Sequence, residues 1–195
     1  MSKSGDVFAE SILDAENLLQ HFNTLNTQPP PPELEVLKRA GLIMAMTAWE
    51  TYVEDRVSEA LGERLASIAD GSIASLLEHK LAEEIKRLHN PTSQKTITLF
   101  RDYGGVDLTE RWSWNNVDAT SARERLDSYI RLRGDVVHRS RPISRGTPVA
   151  HPVTKIELEK AVKFLKCLVQ ATESALVRAT SCAGSVPVSS VMKGT

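Results

Sequence analysis

The sequence predicts an all-α protein, a bundle of about five to six helices with a long second helix, short loops and a disordered C-terminal tail. Apolar residues recur at three- and four-residue steps through most of the 195 residues, as they do on one face of an amphipathic helix. Segments rich in proline or glycine interrupt this pattern where helices would end. No stretch of useful length alternates apolar and polar residues, so strands are not expected.

Breaker residues divide the first half of the chain into three helices. The first is predicted at residues 6–26 and ends at "NTQPPPPE", because consecutive prolines cannot continue an α-helix. A long second helix is predicted from Glu33 to about Ala69, where "DGS" follows. The third is predicted at residues 73–89, with its apolar residues again at helical spacing.

The second half contains three more helices and one irregular loop. Because Asn90 precedes a proline, "HNPTS" ends the third helix, and Thr92 or Ser93 can cap a short helix at residues 94–103. A capping box at Thr120 or Ser121 is expected to open a helix at residues 122–138. The last helix is predicted to begin at Val153 or Thr154 and to end near Arg178. We expect residues 1–180 to form one domain and residues 181–195 to form the disordered tail.

Two tryptophans lie in the irregular loop "YGGVDLTERWSWNNVDATS". We expect Trp112 and Trp114 to anchor this loop to the core, as buried aromatic residues do. The alternative is that they stack on nucleic-acid bases.

Composition excludes several classes of protein. The chain has 24 basic and 25 acidic residues and a formal net charge of −1, so any electrostatic signal is local. Two cysteines do not make a disulfide scaffold, and neither they nor the scattered histidines have the spacing of metal ligands. The N-terminal segment and the short apolar runs predict no signal peptide and no membrane span. A soluble, cytoplasmic protein without metal or cofactor is therefore expected.

Arginines are concentrated around the predicted fifth helix. Seven occur between residues 123 and 145, together with three acidic residues and no lysine. Arginine makes forked contacts with phosphate oxygens, so Arg131, Arg139 and Arg141 suit a phosphate-bearing partner. The alternative is ordinary ion pairing, because Asp127 and Asp135 each lie four positions from Arg131.

His138 gives this segment a possible chemical role. It ends the stretch "RGDVVH", which begins at Arg133, and Asp135 is close enough in sequence to hold one ring nitrogen of the histidine. We expect Arg133 and His138 to be exposed. Five residues on a straight helix turn the two about 140° apart, so they can converge only where the helix ends or across a dimer axis.

This stretch resembles the motif of the HEPN superfamily, an arginine followed four to six residues later by a histidine. HEPN domains are all-helical ribonucleases and nucleotide-binding domains of prokaryotic toxin and antiviral systems. The segment "MAMTAWETYVEDRVSEAL" is similar to the family's early helix with its aromatic-Glu step, here Trp49-Glu50. The segment "HNPTSQKTITLFRDYGGVDLTERWSW" is similar to the succession before the motif helix in the RiboL-PSP-like branch. The resemblance spans about residues 8–178.

The resemblance implies a metal-independent RNA endonuclease that works as a homodimer in toxin or phage-defence systems. Arg133 would bind the scissile phosphate and His138 would transfer protons for attack by the ribose 2′-hydroxyl, with Asp135 as a third catalytic residue. The products would be a 2′,3′-cyclic phosphate and a 5′-hydroxyl. The implied partners are RNA, a second copy of the chain and a cognate antitoxin or regulatory protein. The RNA-binding residues would be Arg131, Arg139 and Arg141.

Gly134 departs from the family pattern, which usually has a polar residue after the motif arginine. This departure favours the alternative of a catalytically silent HEPN dimer that binds RNA, nucleotides or protein. Because glycine weakens a helix, we expect close approach of another backbone at Gly134. Glu50 and Glu54 lie one helical turn apart and could act as paired carboxylates, but we expect them on a solvated or dimer-facing side.

Overall fold

The described part of the chain consists of helices joined by loops. The computed structural model describes residues 1–27, 31–66, 68–138 and 153–183, and gives only the backbone for residue 32 and residues 180–183. The helices in this part are α1 (Lys3–Leu25), α2 (Glu35–Leu65), α3 (Gly71–Ile85), α4 (Ser93–Asp102), α5 (Ala119–His138) and α6 (Lys155–Ala183), with a 3₁₀ turn at Pro32–Leu34 before α2. The predicted all-α bundle is confirmed. None of these helices is both long and apolar enough to cross a membrane.

Several helix boundaries differ from the predictions. The third helix ends at Ile85, four residues before the predicted end at residue 89. The second helix begins after the 3₁₀ turn and ends at Leu65, four residues earlier than expected. The last helix continues to Ala183, so the first residues of the predicted tail at 181–195 are helical. The remaining part of that predicted tail lies outside the described residues. One domain over residues 1–180 stays a prediction.

The start of α5 uses a different cap from the one expected. Its first residue is Ala119, and the carboxylate of Asp118 accepts a hydrogen bond of 2.7 Å from the backbone N–H of Ser121. This backbone hydrogen bond is the main reason why the pKa of Asp118 is lowered. The capping box predicted at Thr120 or Ser121 is therefore wrong, because the aspartate before them satisfies the free N–H group.

The helices α1 and α2 form an antiparallel pair. The rings of Phe8 and Tyr52 meet edge to face at 5.8 Å, and near the other end Lys38 Nζ lies 4.7 Å from the ring centre of Phe22. The side chains of Phe8, Tyr52 and Phe22 are buried in the core. Helix α2 also contacts α3, α4, α5 and α6, so it is the central helix onto which the elements of the candidate site pack.

The loop between α4 and α5 is tied to the core by Trp112. This side chain is fully buried, its ring lies 6.2 Å from that of Trp49, and its Nε1 donates a hydrogen bond of 2.9 Å to Oγ1 of Thr172. Trp114 packs against Phe164 with ring centres 5.7 Å apart. The predicted anchoring role is confirmed, and Trp112 is not accessible for stacking on bases.

Candidate functional site

Two hydrogen bonds join the backbone of the segment between α3 and α4 to side chains of α2. Trp49 Nε1 donates a buried hydrogen bond of 3.2 Å to the carbonyl oxygen of Pro91. The backbone N–H of Asn90 donates a hydrogen bond of 3.0 Å to Oε1 of Glu50. Asn90 has a φ of 56°, in the left-handed region that asparagine tolerates better than most residues. The adjacent pair Trp49-Glu50 thus holds the adjacent pair Asn90-Pro91.

The same segment is also fastened to α5. Both carboxylate oxygens of Asp127 accept hydrogen bonds of 2.8 Å, one from the backbone N–H of Ser93 and one from its hydroxyl. Ser93 is the first residue of α4, where a carboxylate also interacts favourably with the helix dipole. The carboxylate of Asp127 therefore binds the first residue of α4. Within the described chain, it does not form the ion pair with Arg131 that the four-residue spacing suggested.

Arg133 projects from α5 towards this fastened segment. Its Nη1 donates a hydrogen bond to Oδ1 of Asn90, and its Nη2 lies 3.5 Å from Oε2 of Glu50. Since Glu50 also accepts the hydrogen bond from the Asn90 backbone, the three residues form a closed set of contacts. We call this set the Glu50–Asn90–Arg133 ring. It joins α2, the α3–α4 loop and α5.

The ring is largely shielded from solvent. The side chains of Arg133 and Glu50 are 24% and 21% exposed, and Arg133 Nε is buried without a hydrogen-bond partner among the described residues. The expectation of an exposed Arg133 is therefore wrong, because the side chain turns inward to Glu50 and Asn90. The expectation that Glu50 lies on a solvated side is wrong for the same reason, whereas the dimer-facing alternative stays a prediction.

Further charged groups lie next to the ring. Glu54 follows Glu50 by one helical turn on α2 and is half-buried. Burial is the main cause of its raised pKa, and the charges of Glu50 and Asp55 add to it, while His89 acts in the opposite direction. His89 is exposed and directly precedes Asn90. The site therefore combines two carboxyl groups, a histidine and a guanidinium.

The other predicted site residues lie on the exposed side of α5. Arg131, Asp135 and His138 are all exposed and are separated by steps of four and three residues, which places them along one face. His138 is the last residue of α5, as predicted. Arg133 lies on another side, about 140° from His138 around the helix axis. Arg139 and Arg141 lie outside the described residues.

Gly134 has open space around it. A Cβ atom added to this residue would have no heavy atom within 4 Å, outside its own neighbourhood on the helix. The expectation of a close backbone approach at Gly134 is therefore wrong within the described chain.

The two ring partners of Arg133 were not recognised as such in the sequence. Both occur in segments that resemble HEPN proteins, Glu50 in "AWE" and Asn90 in "HNP". Those segments marked the residues as notable, but neither showed that they meet Arg133. Among the described residues, no group of three or more His, Cys, Asp or Glu side chains is placed to hold a metal ion.

Comparison with known proteins gives one match. The family model described as RiboL-PSP-HEPN matches residues 10–178, a range that includes the complete Glu50–Asn90–Arg133 ring and His138. No curated protein and no solved structure matches the chain.

Proposed function

Because the chain belongs to the RiboL-PSP-HEPN family, we propose that it is a metal-independent RNA endonuclease whose active site lies at the cleft of a homodimer. One observation supports this most directly. A guanidinium with a fixed position, that of Arg133, precedes an exposed histidine at the end of the same helix by five residues. These are the groups needed to bind a phosphate and to move a proton.

Arg133 would bind the scissile phosphate. Its side chain is held in place before substrate arrives, and about a quarter of it remains accessible. A positioned cation opposes the negative charge that grows on the phosphate oxygens in the transition state, and it does so without costly reorganisation. The partly buried setting strengthens this interaction relative to water.

His138 would transfer protons. The ribose 2′-oxygen forms a bond to phosphorus while the bond from phosphorus to the 5′-oxygen breaks, leaving a 2′,3′-cyclic phosphate and a 5′-hydroxyl. One imidazole removes the proton from the 2′-hydroxyl, and another group must protonate the 5′-oxygen. In a symmetric dimer, His138 and His138 of the partner subunit provide one imidazole for each transfer. General acid–base catalysis of this kind contributes about 10²–10⁴-fold.

The direction of the side chains supports the proposed dimer. Arg133 and His138 point about 140° apart around α5. On a straight helix, the two side chains of one chain therefore do not reach the same phosphate. Two copies of α5 that meet across a two-fold axis would bring the arginine of each chain near the histidine of the other. The contact would then be isologous, with the same surface used by both copies.

The remaining predicted residues would bind the RNA and orient His138. Asp135 would hold the ring of His138, and Arg131, Arg139 and Arg141 would bind phosphates on either side of the cleavage point. Recognition of the 2′-hydroxyl, which DNA lacks, would restrict cleavage to RNA. A cytoplasmic toxin or phage-defence role, with a cognate antitoxin or regulatory protein, belongs to the same proposal.

A second candidate function is a catalytically silent module that binds RNA, nucleotides or protein. The ion pair between Arg133 and Glu50 favours it, because the carboxylate already offsets the charge that a phosphate would need. Gly134, where active members have a polar residue, favours it as well. Both candidate functions would use the arginines of α5. Only the endonuclease would cleave RNA, so a cleavage assay distinguishes the two.

Incubation of the purified protein with total RNA in excess EDTA tests the proposal. We expect cleavage to persist in the chelator, since no metal takes part, and the products to carry 2′,3′-cyclic phosphate and 5′-hydroxyl ends. The variant His138→Ala should cleave at least about 10²-fold more slowly. His79→Ala, which removes an exposed histidine from α3, is the matched control and should cleave like the wild type.

Three outcomes would contradict the proposed metal-independent endonuclease. Activity that disappears in EDTA and returns with a divalent ion would exclude the metal-independent mechanism. Wild-type cleavage by a folded His138→Ala protein would show that His138 is not the proton-transfer group. RNA binding without cleavage by the wild type would favour the silent module.

A further inference from the structure

We infer that Asn90 is a positioning residue for the proposed RNA cleavage, and that its side-chain oxygen aims the guanidinium of Arg133 at the scissile phosphate. The inference rests on the proposed function, but it concerns a residue that lies outside the arginine–histidine motif. Asn90 is 43 positions from Arg133 in the sequence and is in direct contact with it.

The backbone of Asn90 is fixed from three directions. Its N–H donates to Oε1 of Glu50, and its carbonyl oxygen accepts a hydrogen bond of 2.8 Å from the N–H of Thr92. The next carbonyl, that of Pro91, accepts from Trp49 Nε1. With its φ of 56°, Asn90 is held in a conformation that few residues adopt. The direction of its side chain is therefore determined by the loop as a whole.

This fixed side chain orients the guanidinium without cancelling its charge. Nη1 of Arg133 donates to the neutral oxygen Oδ1 of Asn90, whereas Nη2 is paired with the charged Glu50. A guanidinium has five N–H groups in a rigid fork, so the contact of Nη1 with Asn90 and that of Nη2 with Glu50 together restrict the plane of the whole group. The remaining N–H groups of Nη1 and Nη2 are then the ones that can meet phosphate oxygens. A neutral acceptor suits this task because it offsets none of the positive charge beyond what the ion pair with Glu50 already does.

The variant Asn90→Gly isolates this contact. Glycine adopts a positive φ readily, so the loop keeps its backbone conformation while Oδ1 is removed. We expect the single-turnover cleavage rate at saturating RNA to fall about tenfold or more, since small misplacements of catalytic groups have effects of this size. RNA affinity should fall several-fold, measured by fluorescence anisotropy with a labelled oligonucleotide.

The chain offers a matched control for the same substitution. Asn115, with a φ of 45°, is the other non-glycine residue with positive φ in the described part of the chain. It is exposed in the turn between Trp114 and Val117. Asn115→Gly therefore makes the same change at a similar backbone conformation, and it should leave cleavage and RNA affinity unchanged.

A double-mutant cycle separates positioning from a general structural role. If Asn90 acts through Arg133, then Asn90→Gly should have no further effect on RNA affinity or residual cleavage in an Arg133→Ala protein. A residue that merely supports the fold would lower both quantities equally in the two backgrounds. That equal loss would overturn the inference, as would a folded Asn90→Gly protein with wild-type rate and affinity.

The measurements also distinguish this inference from the proposed function. If the wild type binds RNA without cleaving it, the endonuclease is excluded, and the cycle measured on affinity decides the role of Asn90. If the wild type cleaves RNA and the cycle is additive, the endonuclease stands and the inference fails. If the wild type neither binds nor cleaves RNA, both are overturned.

Discussion

Arg133 and Glu50 form an ion pair that joins α5 to α2, with Nη2 of the arginine 3.5 Å from Oε2 of the glutamate. A phosphate that binds Arg133 must share the guanidinium with this carboxylate. The pair is only partly buried, so its strength is modest and a phosphate can compete with it. The consequences for binding and for stability can be measured separately.

Replacing Glu50 by glutamine should tighten RNA binding. Glutamine keeps an oxygen to accept the Asn90 N–H but removes the charge that opposes the phosphate. Because partly exposed ion pairs contribute about 0.2–1 kcal/mol, we expect affinity to rise by at most about fivefold, measured by fluorescence anisotropy. Glu54→Gln, one turn away and without an ion pair to Arg133, is the charge-matched control and should have a smaller effect. Weaker binding by Glu50→Gln would show that the carboxylate assists binding.

Truncation of Arg133 should destabilise the fold as well as reduce cleavage. Arg133→Ala leaves Oδ1 of Asn90 and the carboxylate of Glu50 without their partner in a partly buried site. We expect the free energy of unfolding in urea to fall by about 1–2 kcal/mol. Arg125→Ala, at an exposed position of the same helix, should change it by no more than about 0.5 kcal/mol. Equal effects would mean that the ring adds nothing to stability.

The substitution Gly134→Ala should stabilise the protein. An alanine Cβ has open space at this position, and alanine favours a helix over glycine by about 0.5–1 kcal/mol. Gly62→Ala on α2, where a Cβ also has nothing within 4 Å, is the control and should stabilise by a similar amount in urea unfolding. Destabilisation by Gly134→Ala alone would contradict the open space. Stabilisation with loss of cleavage would indicate that RNA or a second chain approaches Gly134.

Self-association should be detectable in dilute solution. Since Arg133 and His138 point to different sides of α5, a shared site requires two copies of the chain. We expect light scattering at micromolar concentration to report the mass of a dimer, about twice the 21.5 kDa of one chain. A monomer that nevertheless cleaves RNA would exclude the two-chain site.

Short-range features of the sequence determined the helices of this protein and their approximate ends. Thr92 caps the fourth helix as predicted, because its Oγ1 accepts a hydrogen bond of 3.3 Å from the backbone N–H of Lys95. The third helix ends at Ile85, five residues before the Asn90-Pro91 pair that was expected to end it. Such signals act within a few positions along the chain, so a single sequence contains them completely. The family resemblance of the segments around Trp49 and Arg133 was visible for the same reason, since motifs are local strings.

Only the tertiary structure decided what Arg133 contacts. Asn90 lies 43 positions before it, and Glu50 lies 40 positions before Asn90. Helical periodicity predicts the side of its own helix on which a residue lies. It does not predict which other element packs against that side. Asp127 illustrates the same limit, because its sequence spacing suggested a pair with Arg131 whereas packing brings it to Ser93 at the start of α4. The ring exists because α2, the α3–α4 loop and α5 pack together, and packing depends on the whole core.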